Sequence, residues 1–309
     1  MKLLKKGKVK DVYELDEDSL KFVFSDRISV FDKIIPSEIP RKGETLCKTS
    51  AFWFEKLEKK NIKTHFINLD GQNAMNVKKF RILERPTSKD NNYFIPLEII
   101  CRWFVAGSLF DRIKRGEVKS EELGFAPDHI VKYGDKLPAP FIEFTTKLEK
   151  VDRELTEEEA AELAGLKKED IKRIKELVIK IDQIIKKQVE KNNLIHVDGK
   201  KEFAFDESRE LVVVDTFGTA DEDRWWDKNE YDKGNIVEIS KEFVRQHYRK
   251  TGYKKILDAA RKSGKDIPIP PLPNNLIKET SKLYINLFER ITNKKIDDTV
   301  FVDTHDSSN

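Results

Sequence analysis

LKFVFSDRISVFD (residues 20–32) joins an apolar run to a burst of two acids, an arginine and two serines. The run Leu20–Phe24 reads as a buried strand, and with KVKDVYEL (8–15) and the polar DEDS (16–19) it forms a hairpin. A strand ending in SDRISVFD has two readings: a solvated turn, or the lip of a ligand pocket. Beyond the hairpin the chain stays β-rich, with one helix. IIPSEIPRKG (34–43) is a proline-punctuated loop, and Glu44 to Lys60 fits a helix whose apolar face carries Leu46, residues 51–54 and Leu57. KTHFINL (63–69) and VKKFRIL (77–83) read as strands, and YFIPLEIICRWFVAGSL (93–109) is a β-branched, aromatic run ending in small residues.

The pattern changes after Lys150. Thr156 and Glu159 form a T-x-x-E capping box and Gly165 stops that helix. Lys168 to Asn192 places Ile171, Ile174, Leu177, Val178, Ile181, Ile184, Ile185 and Val189 at helical spacing, an amphipathic core helix too short for a sustained coiled coil. KKEFAFDESRELVVVDTF (200–217) is a second hairpin. SKEFVRQHYRKTGY (240–253) and NNLIKETSKLYINLFERIT (274–292) are helices, and the tail from Asp297 is expected to fray. The fold class is therefore α+β with two lobes. An antiparallel β-rich lobe with one helix spans residues 1–92, an α/β lobe with C-terminal helices spans 93–309, and a cleft is expected between them.

Composition narrows the function classes. In 309 residues, 38% hydrophobic and 10% aromatic content supplies a substantial core, which excludes global disorder. Charged residues reach 37%, yet the net charge is only +3, so no global attraction to nucleic acid or membrane is expected. Cys47 and Cys101 sit in apolar runs without CxxC or Cys/His metal spacing, which suits buried thiols in a reducing compartment. The start MKLLKKGKVKD is too polar for a signal peptide and no apolar run approaches ~18 residues, so a cytoplasmic location is expected.

Three clusters carry chemistry. In KGKVKDVY (6–13), Lys8 and Lys10 would share one strand face beside the permissive backbone of Gly7. That suits polyphosphate, though a lysine-rich edge strand explains it as well. In the second hairpin Lys200 and Glu202 share a face while Asp215 ends the next strand after four apolar residues. Carboxylates from neighbouring strands near a lysine can hold Mg²⁺ against nucleotide phosphates, and a solvated charged hairpin is the bland alternative. Arg102 interrupts an apolar run and must meet an acid, Glu98 or one from elsewhere, or an anionic ligand. Ser108 after Gly107 would cap a helix whose amides favour phosphate. Lys147 follows two threonines at a strand end. The five histidines are scattered, with no HExxH and no GxSxG, so zinc and serine-nucleophile chemistry are disfavoured. Trp225 and Trp226 fit a core role better than base stacking.

Taken in order, GKVKDVY (7–13), SDRISVFD (25–32), IPLEIICRWFVAGSL (95–109), TTKLEKVDRELTEEE (145–159), KKEFAF (200–205) and DTFGTADEDRWWD (215–227) resemble the SAICAR synthetase family across most of the chain. The resemblance implies a two-lobed fold and an ATP-dependent ligation of L-aspartate to the carboxylate of carboxyaminoimidazole ribonucleotide (CAIR). ADP and phosphate are released, and an acyl phosphate is the expected intermediate. Carried over by position, it implies that Gly7, Lys8 and Lys10 hold ATP phosphates and that Glu202 and Asp215 hold Mg²⁺ and nucleotide. Arg102, Ser108, Asp221 and Arg224 would grip the ribonucleotide, with Ser29 and Asp32 lining the substrate side. Lys147, Lys200 and Asp215 would serve catalysis near the transferring phosphoryl group, and Asp26 and Arg27 would orient their loop. A homodimer stays open.

The chain departs from the family pattern at three points: Thr216 where a second acid is common, Ala220 where a proline is common, and Ala204 where many members carry glycine. These put loop detail and metal number in question. A small-molecule kinase on the same scaffold is the competing enzyme reading. A nucleic-acid-binding protein is a third, opposed by the near-neutral charge.

Overall fold

The computed structural model describes residues 1–149 and 153–296, so the tail expected to fray lies outside the described residues. The chain begins with β1 (Lys2–Lys6), β2 (Lys10–Glu14), β3 (Ser19–Phe24), β4 (Arg27–Val30) and β5 (Lys33–Glu38), then α1 (Lys42–Glu58), β6 (Phe66–Leu69) and β7 (Ala74–Lys78). It continues through β8 (Tyr93–Phe94), β9 (Leu97–Phe104), α2 (Gly107–Lys114), β10 (Lys136–Thr146), β11 (Glu154–Leu155), α3 (Glu157–Ala164) and α4 (Lys168–Val189). Last come β12 (Leu194–Phe205), β13 (Leu211–Val214), β14 (Asp223–Asp227), α5 (Lys228–Asp232), α6 (Glu242–Lys250), α7 (Tyr253–Lys262) and α8 (Asn274–Thr292).

Two compact units result, and they divide the chain differently from a single cut at residue 92. Of the described residues, one comprises Met1–Phe52, Phe66–Lys79 and those from Ile239 to Ile296; the other comprises Trp53–His65 and those between Phe80 and Glu238. Apolar burial explains the return of the C-terminal helices to the first unit. Ile28, Val30 and Ile35 of the small β4–β5 hairpin, and Ile39 just after it, are almost fully buried against Val244, Tyr248, Tyr253 and Leu257 of α6 and α7. A two-stranded hairpin cannot cover such side chains alone. Helix α7 forms on a stretch that the helical spacing of its neighbours leaves unassigned, and it buries Tyr253 and Leu257.

The first unit's main sheet has the order β1-β2-β3-β7-β6 and is antiparallel throughout. Strand β7 lies earlier than the expected 77–83, because its pairing with β3 closes at Ser19↔Lys78. SDRISVFD resolves into separate tasks. Asp26 accepts the amides of Gly43 (2.8 Å) and Arg41 (3.3 Å), which fixes the entry into α1. Arg27 bonds Asp11 (2.5 Å) and the Gly7 carbonyl (3.0 Å). Phe31 and Asp32, at φ 50° and 63°, form a two-residue turn between the paired Val30 and Lys33. Positive φ at both central residues is the type I′ geometry that suits a twisted hairpin.

The second unit is built on a seven-stranded sheet, β11-β10-β9-β12-β13, with β14 and β8 also pairing to β12. Every strand pair is antiparallel, so the lobe expected as α/β has helices laid on an antiparallel sheet. Helix α4 buries Ile171, Ile174, Val178, Ile181, Ile185 and Val189, while Leu177 and Ile184, expected on the same face, lie at its edge and are half-buried. The Thr156–Glu159 capping box forms and Gly165 ends α3 at φ 61°. Strand β12 carries one irregularity: His196 faces Trp225 and Asp198 faces Arg224, which leaves Val197 as an extra residue. That bulge puts His196 and Asp198 on opposite faces of the strand.

Candidate active site

Strand alternation assembles the second unit's candidate site. On β12, Asp198, Lys200 and Glu202 share one face, and Asp198 is opposite Arg102 on β9 and Arg224 on β14. On β9, Glu98 and Arg102 share the same face by the same period, and Lys147 comes directly after the end of β10.

The side chains gather in two clusters. In the first, Lys200 Nζ lies 2.8 Å from Glu98 Oε1 and 2.8 Å from Glu202 Oε1, and 3.3 Å from Glu222 Oε2. Lys147 Nζ lies 2.8 Å from the same Glu98 oxygen, 2.7 Å from Glu202 Oε1 and 3.8 Å from Asp215 Oδ2. The expected lysine–acid set of Lys147, Lys200, Glu202 and Asp215 is thus brought together. Glu98 and Glu222 join it, although the sequence pattern does not single them out for it. Glu98 is readable as an even-numbered strand neighbour of Arg102; Glu222 depends on the loop after β13 and carries no local signal.

Charge in this cluster is fixed by mutual pairing. Burial alone would raise the Glu202 carboxyl, but Lys200 and Lys147 outweigh it and hold it at about 2. Burial disfavours the charged forms of Lys200 and Lys147, yet Glu202, aided by Glu98, raises both above the ordinary lysine value. All three are ionised at neutral pH. Glu202 Oε2 is buried and has no hydrogen-bond partner, although Oε1 has two lysines. An ionised oxygen left so is costly unless a cation or donor meets it. Asp215 sits directly after β13 at φ 57°, a left-handed conformation uncommon for a residue with a side chain.

In the second cluster Arg102 donates to Glu143 (2.5 Å), Asp198 (3.3 Å) and Ser108 Oγ (3.1 Å). Arg224 bonds the same Asp198 oxygen, Oδ2. The buried arginine's acid partners are therefore Glu143 and Asp198, while Glu98 serves the lysines. Ser108 is not the cap of α2. Ala106 holds that position without a side-chain cap, and Ser108 lies inside the first turn. The Arg224 guanidinium packs against Gly107, where a Cβ would come 2.5 Å from its Nη2. Asp221 sits in a turn in which Thr219 Oγ1 accepts the amides of Asp221 (3.2 Å) and Glu222 (3.3 Å).

The first unit holds the remaining expected residues. Lys8 lies before β2 rather than on it, because the Gly7 amide bonds the Lys10 carbonyl (3.0 Å) in a turn. The expected shared strand face of Lys8 and Lys10 therefore does not form. Lys10 Nζ lies over the rings of Phe22 (4.7 Å) and Phe24 (5.9 Å), while Lys8 pairs with Asp32 at 2.8 Å. The Lys8 hydrogen bond is the main force holding the Asp32 carboxyl below its usual value. Ser29 is buried on β4. Trp225 and Trp226 are fully buried, as a core role requires. Both cysteines are free and buried. Among the described residues, no group of three or more His, Cys, Asp or Glu side chains is placed to hold a metal, and no helix is long and apolar enough to cross a membrane.

A family model described as SAICAR synthetase matches residues 3–260. The chain belongs to the SAICAR synthetase family. A phosphoribosylaminoimidazole-succinocarboxamide synthase of Thermoplasma volcanium is 54% identical over 296 residues, covering 96% of this chain and 100% of the relative. Among solved structures, a SAICAR synthase from Saccharomyces cerevisiae complexed with SAICAR has a TM-score of 0.73 at 26% identity and covers 95% of each chain. A SAICAR synthetase in complex with ADP has a TM-score of 0.67 at 26% identity, covering 94% of this chain and 98% of that one. SAICAR synthetases are ATP-dependent ligases of purine biosynthesis, and this chain is one; the kinase reading is not favoured.

Proposed function

We propose that the charged face of β9, β12 and the β13 end carries the ligation of L-aspartate to CAIR, with Lys147, Lys200, Glu202 and Asp215 at the phosphoryl-transfer end. The observation that carries this reading is the buried Glu202 oxygen without a partner, on a carboxylate that two lysines keep ionised. Glu202 and Asp215 are the residues that would hold Mg²⁺, a hard cation that commonly takes one or two protein carboxylates and completes its shell with water and phosphate oxygens. When bound, Mg²⁺ supplies charge neutralisation for the polyphosphate.

The chain's own groups supply the rest. The CAIR carboxylate is a weak electrophile, and its conversion to an acyl phosphate lets the aspartate amine displace phosphate and form the amide. Lys147 and Lys200 are shared among several carboxylates, so each can turn toward phosphoryl oxygens without leaving a carboxylate bare. Positioned cations of this kind stabilise developing charge without reorganising at the moment of transfer. Arg102 and Arg224, aligned on Asp198, offer guanidinium forks suited to a phosphate or carboxylate. The start of α2, without a side-chain cap, adds backbone amides beside Ser108 and Gly107.

Gly7, Lys8 and Lys10 are assigned to nucleotide phosphates, and Ser29, Asp32 and Asp221 to substrate, by position in the family pattern. A reducing, cytoplasmic setting belongs to the same reading, since both thiols are free and buried. The deciding experiment measures ADP release with each substrate omitted in turn. Release that requires both CAIR and L-aspartate supports the ligase; brisk ADP formation without aspartate would sink it.

A further inference from the structure

The loop from Asp215 to Glu222 carries two acids of the lysine cluster, and it departs from the family pattern at Thr216 and Ala220. Its rigidity must come from elsewhere. The Gly218 amide donates to Asp223 Oδ1 (2.8 Å), and the Gly218 carbonyl accepts from Trp53 Nε1 (2.9 Å). The Thr219 carbonyl accepts from Trp225 Nε1 (3.1 Å) and from the Asp223 amide (3.1 Å). Gly218 is at φ 68°, and a Cβ there would strike the Trp53 indole. Phe217 is buried against Phe54, with ring centroids 5.6 Å apart.

The anchor of these contacts lies on the face of β12 opposite the site. Asp223 Oδ2 is 2.6 Å from His196 Nε2 and 3.6 Å from Lys201 Nζ. Lys201 also pairs with Asp182 of α4, whose other oxygen accepts from Trp103 Nε1 (2.8 Å). Lys201, Asp182 and the Asp223 side chain are wholly enclosed. A Cβ at Gly199 would collide with the Asp223 carboxylate, so glycine makes room for it. None of these groups faces the lysine cluster directly.

We propose that Asp223 is a positioning residue: fixed by His196 and Lys201, it holds the Gly218 amide and so sets where Asp215 and Glu222 meet Lys147 and Lys200. This rests on the ligase reading, and the test separates the two. Wild-type ADP release that depends on CAIR and aspartate checks the ligase reading before any variant is made. Amide hydrogen exchange and steady-state kinetics are then measured on Asp223→Ala, Asp223→Asn and Trp53→Phe.

Asp223→Ala should lose protection at residues 216–222 and lose roughly 10- to 100-fold in kcat, with KM for CAIR changed much less, the size expected when a reacting group is displaced by about an ångström. Asp223→Asn keeps an oxygen for the Gly218 amide and should recover most of both losses. If Asp223→Ala does not fold, Trp53→Phe removes the opposite strap and should show the same paired loss in milder form. Loss of protection with unchanged kcat would overturn the proposal, as would unchanged protection in the variants that fold. A fall in kcat in Asp223→Asn as deep as in Asp223→Ala would overturn it too, by showing that the charge rather than the Gly218 bond matters.

Discussion

Lys200 and Lys201 are adjacent in sequence and opposite in use. Lys200 is still reachable by solvent and is shared among Glu98, Glu202 and Glu222, on a face where Glu202 keeps an unpartnered oxygen. Lys201 is completely enclosed between Asp182 and Asp223, and these carboxylates also serve Trp103, His196 and the Gly218 amide. Both lysines are raised above the ordinary value by carboxylates that outweigh burial. The same residue types thus make a site on one face and a brace on the other. What separates them is access to solvent, not charge.

That contrast can be broken from either side. Lys201→Met should give the largest effect: two enclosed carboxylates lose their cation, and breaking such a pairing costs about 3–5 kcal/mol. A urea titration would read it, and a loss below about 1 kcal/mol would mean that Lys201 is no brace. Asp215→Asn should leave the urea midpoint in place while kcat falls on the order of 100-fold, the scale seen when one preorganised electrostatic group is removed. Near-wild-type turnover would remove Asp215 from the chemistry. Arg102→Lys should raise KM for CAIR roughly 10-fold, or about 1.4 kcal/mol, while KM for ATP stays put, since an ammonium cannot reproduce a bidentate fork.

The smallest effect is the sharpest in sign. Glu202 is held at about 2 in the folded chain against an ordinary value of 4.5. Its stabilising contribution is complete above the ordinary value and is lost as pH falls toward 2. In Glu202→Gln, stability should therefore decline less than in wild type between pH 4.5 and 2, as read by urea midpoints across that window. Parallel decline in the two proteins would contradict the pairing of Glu202 with Lys147 and Lys200.

The two faces also explain how much is legible in the sequence. Period-two alternation is enough to join Lys200 with Glu202 and to show that Arg102 needs a partner. Hydrophobic spacing locates α4, and the capping chemistry of Thr156, Glu159 and Gly165 locates α3. Which acid meets which base is not legible, because it depends on strand register: Glu143 and Asp198 reach Arg102 only once β9 lies between β10 and β12. Ser108 reads as a cap, but the helix begins at Gly107 and its cap is Ala106, two residues earlier. Lys8 reads as a strand residue, but the Gly7–Lys10 turn removes it from β2. The division into units is hidden for a similar reason. The partners of the β4–β5 hairpin lie more than two hundred residues away, and no local pattern records so distant a contact.

The extra residue at Val197 has a wider consequence. A strand with perfect alternation can offer its neighbours only one phase, and every side chain on it is committed by the first. By slipping half a period, β12 presents imidazole to one neighbour and carboxylate to the next without leaving the sheet. Deleting Val197 itself would only regularise the strand, since His196 and Asp198 would become neighbours on opposite faces and keep Trp225 and Arg224 as their partners. Deleting Gly199 instead would turn Asp198 away from the face it shares with Lys200 and Glu202, with no ionisable group having been altered. Away from the bulge, insertions and deletions in this strand should therefore be far less tolerated than substitutions, even at positions whose side chains only fill volume.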